Sequence, residues 1–199
     1  MVNWNTRFGS DDYFYGEEPN RFLEDQRHLL HTGMSALVPA DGEGRNGVWL
    51  ATLGLDVHTV DGAASGVEKA KRLAEKQGVE IQAEQADLFH WDWPQSRYDV
   101  VVSIFFHMPS NMRNFVNGRI LHALKPGGLL ILEAFHQDQL RYRSGGPKDL
   151  DMLYTEAILA SDFREAQIEL MEKKIIELDE SPAHSGEAAV VRLLARRSE

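Results

Sequence analysis

The alternation of apolar and polar positions divides the chain into short segments of two kinds. Strand-like segments, some apolar almost throughout and some alternating apolar with polar, lie at residues 37–40, 55–60, 79–83, 99–106 and 129–135. Each has strand length, and each is followed by a turn signal or a helical pattern. The run at 99–106, Asp-Val-Val-Val-Ser-Ile-Phe-Phe, is too continuous for a one-sided sheet and predicts a central strand covered on both faces. Helical patterns fill the gaps. One covers residues 45–53 and is stopped by Gly54. A second opens at Ser65-Gly-Val-Glu68, read as a capping box, and runs to about Gln77 before Gly78. A third opens at Pro109 and Ser110 and ends near Leu124, where Lys125-Pro-Gly-Gly128 forms a hard turn. Strand and helix in alternation imply a parallel sheet covered on both sides by right-handed crossovers.

The ends of the chain depart from this rhythm. Residues 1–31 read as an N-terminal arm and helix. The arm holds Trp4, Phe8, Tyr13, Phe14 and Tyr15 without clear periodicity, and is either packed on the surface or a lid that covers a ligand. The helix runs from Asn20 or Arg21 to about His31, with Phe22, Leu23, Leu29 and Leu30 on its apolar face and Gly33 ending it. Residues 136–150 are polar and rich in glycine and arginine, long for a connection and therefore a candidate binding loop, closed by a helix at about 151–160. Residues 168–178 and 188–195 are strand-like and separated by the polar stretch 179–187, which reads as an antiparallel hairpin. The expected fold is α/β: a doubly wound, mostly parallel sheet with a C-terminal antiparallel hairpin.

Composition narrows the function classes. At 199 residues one domain spanning 1–199 is expected, and 43% apolar with 26% charged residues is ordinary for a soluble globular chain. The absence of cysteine excludes disulfides, thiolate metal sites and a cysteine nucleophile, and no metal is expected. No apolar stretch is long enough to span a bilayer and the first residues lack a signal-peptide core, so a cytoplasmic protein with no membrane partner is expected. The formal charge of −10 argues against nucleic acid as the main partner. A small-molecule substrate and a monomeric state are the expectations that remain.

Candidate chemistry centres on residues 37–46, Leu-Val-Pro-Ala-Asp-Gly-Glu-Gly-Arg-Asn. A strand, a glycine turn and a helix N-terminus let backbone approach a ligand closely, and Gly42 and Gly44 remove the Cβ atoms that would obstruct it. Asp61 ends the next apolar run, a spacing that suits a carboxylate gripping the two hydroxyls of a ribose. A nucleoside-containing cofactor at the mouth of an α/β sheet is the first expectation. Gly42-Glu-Gly44-Arg-Asn-Gly47 also satisfies the short dinucleotide pattern, which leaves open an NAD-dependent oxidoreductase or a turn that binds nothing.

Taken together, these segments resemble a class I S-adenosylmethionine-dependent methyltransferase, and more narrowly the small bacterial enzymes related to tellurite-resistance and thiopurine methyltransferases. The resemblance rests on Gly42-Glu-Gly-Arg-Asn46, Asp61, Ala86-Asp87, Tyr98-Asp99, the Leu124-Lys-Pro-Gly-Gly128 turn and the final hairpin. Tyr15-Gly-Glu-Glu-Pro-Asn20 and Ser144-Gly-Gly-Pro147 fit the narrower group. Two positions depart from it: Val38 stands where the family carries an acid, and Ala40 where it carries a glycine. The resemblance implies a cofactor, S-adenosylmethionine, lined by Ala40, Gly42, Gly44, Asn46 and Gly62. Asp61 would hold the ribose, Asp87 with the Leu88 amide the adenine edge, and Ser103 and Ile104 the methionine portion. His107 would lie near the methyl group. His184, or His107, would serve as base or substrate contact, and Arg143 as an anion clamp. Transfer to a small-molecule acceptor would be an in-line displacement whose chemistry belongs to the cofactor. A general base is needed only for a protonated nucleophile of high pKa. Val38 and Ala40 also motivate the alternative of a cofactor-binding protein without catalysis. Judged singly, His136, His184, Tyr142 and Arg143 read as ordinary surface groups; they gain weight because the loops carrying them should gather at the carboxyl ends of the strands.

Overall fold

The computed structural model describes residues 3–199; Met1 and Val2, the first residues of the expected arm, lie outside them. The chain divides into two compact units, Met1–Asp92 and Trp93–Glu199.

The first unit contains α1 (Trp4–Arg7), α2 (Arg21–Asp25), β1 (Ser35–Pro39), α3 (Arg45–Thr52), β2 (Asp56–Asp61), α4 (Ala64–Gln77) and β3 (Gln82–Gln85). β2 pairs in parallel with β1 on one side and β3 on the other. The helix expected from residue 20 or 21 to 31 is shorter: α2 stops at Asp25, and a 3₁₀ turn over Arg27–Leu29 follows. Asn20 caps α2 through its side-chain oxygen, which accepts from the Leu23 amide at 3.1 Å. The expected capping box does not form. α4 begins one residue before Ser65, its N-cap is Ala63, the Ser65 hydroxyl bonds to the Asn5 carbonyl and Glu68 pairs with Lys71. The third strand starts later than residue 79. Gly78 adopts φ 69° and the Val79 amide still bonds to the Ala74 carbonyl, so the chain is closing a helix there. Val79 and Ile81 instead cover the buried cluster of Val48, Leu73 and Ala74.

The second unit contains β4 (Tyr98–Ile104), α5 (Ser110–Ala123), β5 (Leu124–Phe135), α6 (Glu156–Asp162), β6 (Ala166–Ser181) and β7 (His184–Arg197). The strand order is β4-β5-β7-β6, with β4 and β5 parallel and the two later pairings antiparallel. The continuous apolar run became β4, and Val100, Val101 and Val102 are fully buried as expected for a central strand. The Lys125–Gly128 turn is a bulge within β5. Tyr98 pairs with Leu124 and Val100 with Leu129, so four residues loop out while Lys125 reaches Asp99 at 2.8 Å.

The helix expected at 151–160 is interrupted. Leu153 is buried, and Tyr154 stays extended because its amide bonds to the Phe135 carbonyl and its carbonyl accepts from Gln137. α6 starts only after Thr155, whose hydroxyl oxygen accepts from the Ile158 amide. The hairpin is longer than expected. β6 and β7 pair from Ala166↔Arg197 to Ser181↔His184, so the polar stretch 179–187 is mostly strand and His184 opens β7. Between these strands and β5, Glu133 meets Arg192 at 2.6 Å and Arg192 approaches Glu172 at 3.9 Å, a charged row across the antiparallel ladder.

Candidate functional site

In the first unit β1 runs into a left-handed turn. Ala40 has φ 55°, Gly42 φ 60° and Gly44 φ 90°. Ala40 thus occupies a conformation that favours glycine, at a cost of roughly 1–2 kcal/mol for a residue with a Cβ. Gly44 is required for another reason: a Cβ there would lie 2.5 Å from the Ala70 Cβ on α4. Gly66 on α4 meets the turn from the other side, since its Cβ would lie 2.7 Å from the Gly42 carbonyl oxygen. Gly47 lets α3 settle onto β2, where a Cβ would come within 2.3 Å of Thr59 Cγ2. The third glycine of the dinucleotide-like pattern is therefore a packing glycine.

Asp61, half-buried at the end of β2, is keyed to this turn. Its Oδ2 accepts from the Gly42 amide at 2.8 Å and its Oδ1 from the Ala63 amide at 2.7 Å. Burial pushes the carboxyl above the ordinary aspartate range, and the two amide bonds oppose that. A carboxylate offers about four lone-pair sites, so two backbone donors leave room for two hydroxyls. Asp87 is exposed and bonds to the Phe89 amide and to His90 Nδ1, and the His90 bond holds it below the ordinary range. Leu88 beside it is buried. Gly62 leaves open space, its nearest neighbour being Ala86 O at 3.8 Å from the site of a Cβ.

The side chains of the turn face the arm. The Asn46 side-chain oxygen accepts from the Asn20 amide at 2.9 Å, Arg45 donates to the Glu18 carbonyl, and Glu43 accepts from the Phe14 and Tyr15 amides. Phe8 packs on Gly42, where a Cβ would lie 3.2 Å from the ring, and Trp4 stacks on Phe8 at 5.4 Å. Asp41 points elsewhere. Its Oδ2 accepts from the Gly47 amide at 3.1 Å, and its buried Oδ1 has no hydrogen-bond partner among the described residues.

In the second unit Ser103 and Ile104 are buried at the end of β4, and Phe105 follows with φ 52°. Phe105 stacks on Phe135 at 4.5 Å. His107 stacks on Phe135 at 5.6 Å, and the His184 ring meets Phe135 edge-on at 5.5 Å. Both nitrogens of His107 are engaged by backbone: Nδ1 lies 2.8 Å from the Met152 carbonyl, and Nε2 accepts from the Phe135 amide at 3.3 Å. These partners assign the proton to Nδ1. Lost hydration pushes the His107 pKa down to about 4, so the ring is neutral at neutral pH. His184 Nδ1 lies 3.1 Å from a Glu180 carboxylate oxygen.

The loop carrying Tyr142 and Arg143 is pressed onto this group. A Cβ on Gly145 would lie 2.7 Å from His184 Cδ2, and one on Gly146 2.8 Å from Phe135 Cδ2. Gln139, fully buried, moors the loop. Its Nε2 donates to Ser144 Oγ and the Gly145 carbonyl, its Oε1 accepts from the Ala189 amide, and Ser144 Oγ donates to the Glu187 carbonyl. Arg143 is exposed and has no acidic partner among the described residues. The structure therefore gathers His107, His184 and the Arg143 loop around Phe135. His136 lies apart in role: Nδ1 accepts from the Asp138 amide and Nε2 faces Glu156 at 3.4 Å. An open cleft of about 380 Å³ along α5 and α6, lined by Phe115, Arg119 and Arg164 among others, contains none of these residues.

Glu43, Lys69 and Gln139 escaped the reading of the sequence. Ser65, Lys69, Arg72 and Lys76 do share one helical face, which is a signal, but it reads as a solvated face until the arm is placed on it.

Residues 37–128 match the family described as methyltransferase domain. A glycine/sarcosine N-methyltransferase from Halorhodospira halochloris is 27% identical over 147 residues, covering 69% of this chain and 50% of that protein. The chain thus spans about half the length of the curated relative it matches. Among solved structures, TehB from Haemophilus influenzae superposes with a TM-score of 0.73 at 17% identity, covering 98% of this chain and 66% of that one. The [4+2]-cyclase SpnF does so with a TM-score of 0.70 at 16% identity, covering 98% and 90%. These likenesses show the α/β fold expected from the sequence, and the family match displaces the dinucleotide reading of the glycine turn. Over residues 37–128 the chain is similar to a methyltransferase domain, and its fold is that of the α/β structures on which it superposes.

Proposed function

We propose that this protein transfers the methyl group of S-adenosylmethionine to a small-molecule acceptor by in-line displacement. The observation that carries the reading is Asp61, a half-buried carboxylate fixed against the glycine turn by Gly42 and Ala63 with lone pairs to spare. The group fits these residues: Asp61 can accept two ribose hydroxyls beside the turn, where Gly42 lies under Phe8 and Gly44 lets the turn pack on α4. The cofactor, when bound, supplies an activated methyl group on a good leaving group. The chain's own residues supply binding and alignment, which can contribute on the order of 7–11 kcal/mol to such a step.

In this reading Ala40 and Gly62 border the cofactor, and Asn46 acts by bracing Asn20. Asp87 and the Leu88 amide read the adenine edge, and Ser103 and Ile104 support the methionine portion. His107, neutral and bonded at both nitrogens, holds Met152 and Phe135 in place rather than moving a proton. His184 and Arg143 face the acceptor. An exposed arginine without an acidic partner suits an acceptor bearing a carboxylate or another small anion, as glycine and sarcosine do in the relative. We read residues 1–199 as one methyltransferase-like domain, supported by matches that cover 98% of the chain. We also read it as a cytoplasmic monomer without a nucleic-acid partner, supported by 31 acidic against 21 basic residues. Among the described residues no helix is long and apolar enough to cross a membrane.

Titration calorimetry with S-adenosylhomocysteine tests the site. Asp61→Ala should weaken binding by about 10²–10⁴-fold, the loss of two charge-assisted hydrogen bonds worth roughly 1.5–3 kcal/mol each. Unchanged affinity in a folded variant would refute the assignment. A second reading follows from Val38, from the strain at Ala40 and from the cyclase that shares this fold: a cofactor-binding protein whose reaction is not methyl transfer. Binding of the cofactor without transfer of labelled methyl to amine, thiol or oxyanion acceptors would favour it.

A further inference from the structure

The arm lies lengthwise along α4. Asn5 accepts from the Ser65 amide and hydroxyl, Asp12 accepts through its carbonyl from Lys69 Nζ at 2.6 Å, and Glu17 pairs with Lys76 at 2.6 Å. Ser65, Lys69 and Lys76 fall on one helical face at i, i+4 and i+11, and the arm follows them in order. The adjoining face of α4, at Gly66 and Ala70, packs on the glycine turn.

One buried ion pair joins the two faces. Glu43, between Gly42 and Gly44, meets Lys69 at 2.5 Å with side chains only 3% and 1% exposed. The other oxygen of Glu43 accepts from the Phe14 amide at 2.8 Å and the Tyr15 amide at 3.4 Å. The Tyr13 hydroxyl donates to the Lys69 carbonyl, and the Tyr13 ring lies 4.9 Å from the ammonium. A buried pair recovers little net stability over apolar residues of the same volume, so its presence asks for another role. Here every remaining bond of the pair reads arm backbone. Phe8 and Trp4 are carried on the same arm, with Phe8 seated on Gly42.

Resting on the methyltransferase reading, we infer that Glu43 and Lys69 are positioning residues that latch the N-terminal arm to the glycine turn and thereby govern release of the nucleoside cofactor. The arm is then not a passive surface strand. Its rings close over the turn only while the pair holds residues 12–15, and cofactor leaves when this latch opens.

The test is the rate of S-adenosylhomocysteine release, followed by stopped flow, with hydrogen exchange at the Phe14 and Tyr15 amides in parallel. Replacing the pair by apolar residues of similar length, Glu43→Met with Lys69→Met, keeps the packing while removing the contacts to the arm. Release should accelerate at least tenfold, with loss of protection at both amides. Glu43→Gln with Lys69→Met restores an acceptor for those amides without a buried charge and should recover slow release. Adding Phe8→Ala to the Met pair should give little further acceleration, because both changes act through one arm. Unchanged release in the Met pair, or independent multiplication of its effect with that of Phe8→Ala, overturns the latch. Failure of the wild-type protein to bind S-adenosylhomocysteine overturns the functional reading instead, and the latch with it.

Discussion

Asp41 is the costliest single residue of the glycine turn. Its carboxyl is buried, one oxygen accepts from the Gly47 amide, and the other has no partner among the described residues. Lost hydration is the main cause that pushes its pKa up to about 8, and the nearby Asp61 adds to it, so Asp41 is neutral at pH 7. A carboxyl whose pKa is raised on folding from 3.8 to about 8 binds a proton in the folded state that the unfolded chain has released. Stability therefore falls as pH rises through this window. Asp41→Asn keeps the shape and removes the titration. The variant should gain on the wild type as pH rises from 5 to 8, by on the order of 2–4 kcal/mol at about 1.4 kcal/mol per pH unit. Urea unfolding at several pH values measures this directly, and parallel pH profiles for the two proteins would show that Asp41 is ionised throughout. The residue also shows where the sequence stops informing. Asp61 could be singled out by its spacing from the glycine turn, although an aspartate ending a strand also forms turns and caps helices. Asp41, adjacent to a glycine, carries no such signal in the sequence. Its actual direction, toward the start of α3, depended on how closely Gly47 allows that helix to approach β2.

Among the elements, the loop after β5 shows how an irregular segment is held without regular pairing. Gln139 satisfies the Ala189 amide of β7 and at the same time fixes Ser144 and Gly145. Replacing Gln139 by Ala strands the buried Ala189 amide and removes the donor to Ser144 Oγ and the Gly145 carbonyl, each lost partner costing roughly 1–3 kcal/mol. We expect destabilisation of about 2–4 kcal/mol, with faster amide exchange over residues 142–147. Lys173 in its pair with Asp138 makes a useful control. Lys173→Ala should cost under about 1 kcal/mol because the pair is partly solvated. If both variants proved equally mild, Gln139 would not be the mooring of the Arg143 loop. Elements with a strong local signal, such as β4 with its unbroken apolar run or α4 with Gly78 at its end, could be read before the structure. Those that depended on a partner could not. The run at 79–83 looked like strand, yet Val79 finishes α4, and the polar stretch 179–187 looked like loop, yet β7 pairs through most of it. At Val79 the closing bond of the helix to Ala74, and in the hairpin the cross-strand pairing, decided what local propensity left open.

For the molecule as a whole, the linkage of ligand binding to folding offers a measurement that needs no acceptor. A ligand that binds only the folded chain stabilises it by about 2.7 kcal/mol at a hundred times its Kd. In a chain of 199 residues each kcal/mol moves the melting temperature by roughly 2–4 °C. S-adenosylhomocysteine at that excess should therefore raise the melting temperature by about 5–10 °C, and NADH should leave it in place. Read as one domain, residues 1–199 should melt in one transition that moves as a unit with the ligand. A ligand shift confined to part of a split transition would mean that Met1–Asp92 and Trp93–Glu199 unfold separately, and the reading of a single domain would fall. Asp61→Ala should abolish the shift while lowering the unliganded melting temperature only slightly, since its two backbone bonds tie one turn rather than a core. That pairing of outcomes separates a lost binding carboxylate from a damaged fold, which the melting temperature of the unliganded variant alone does not.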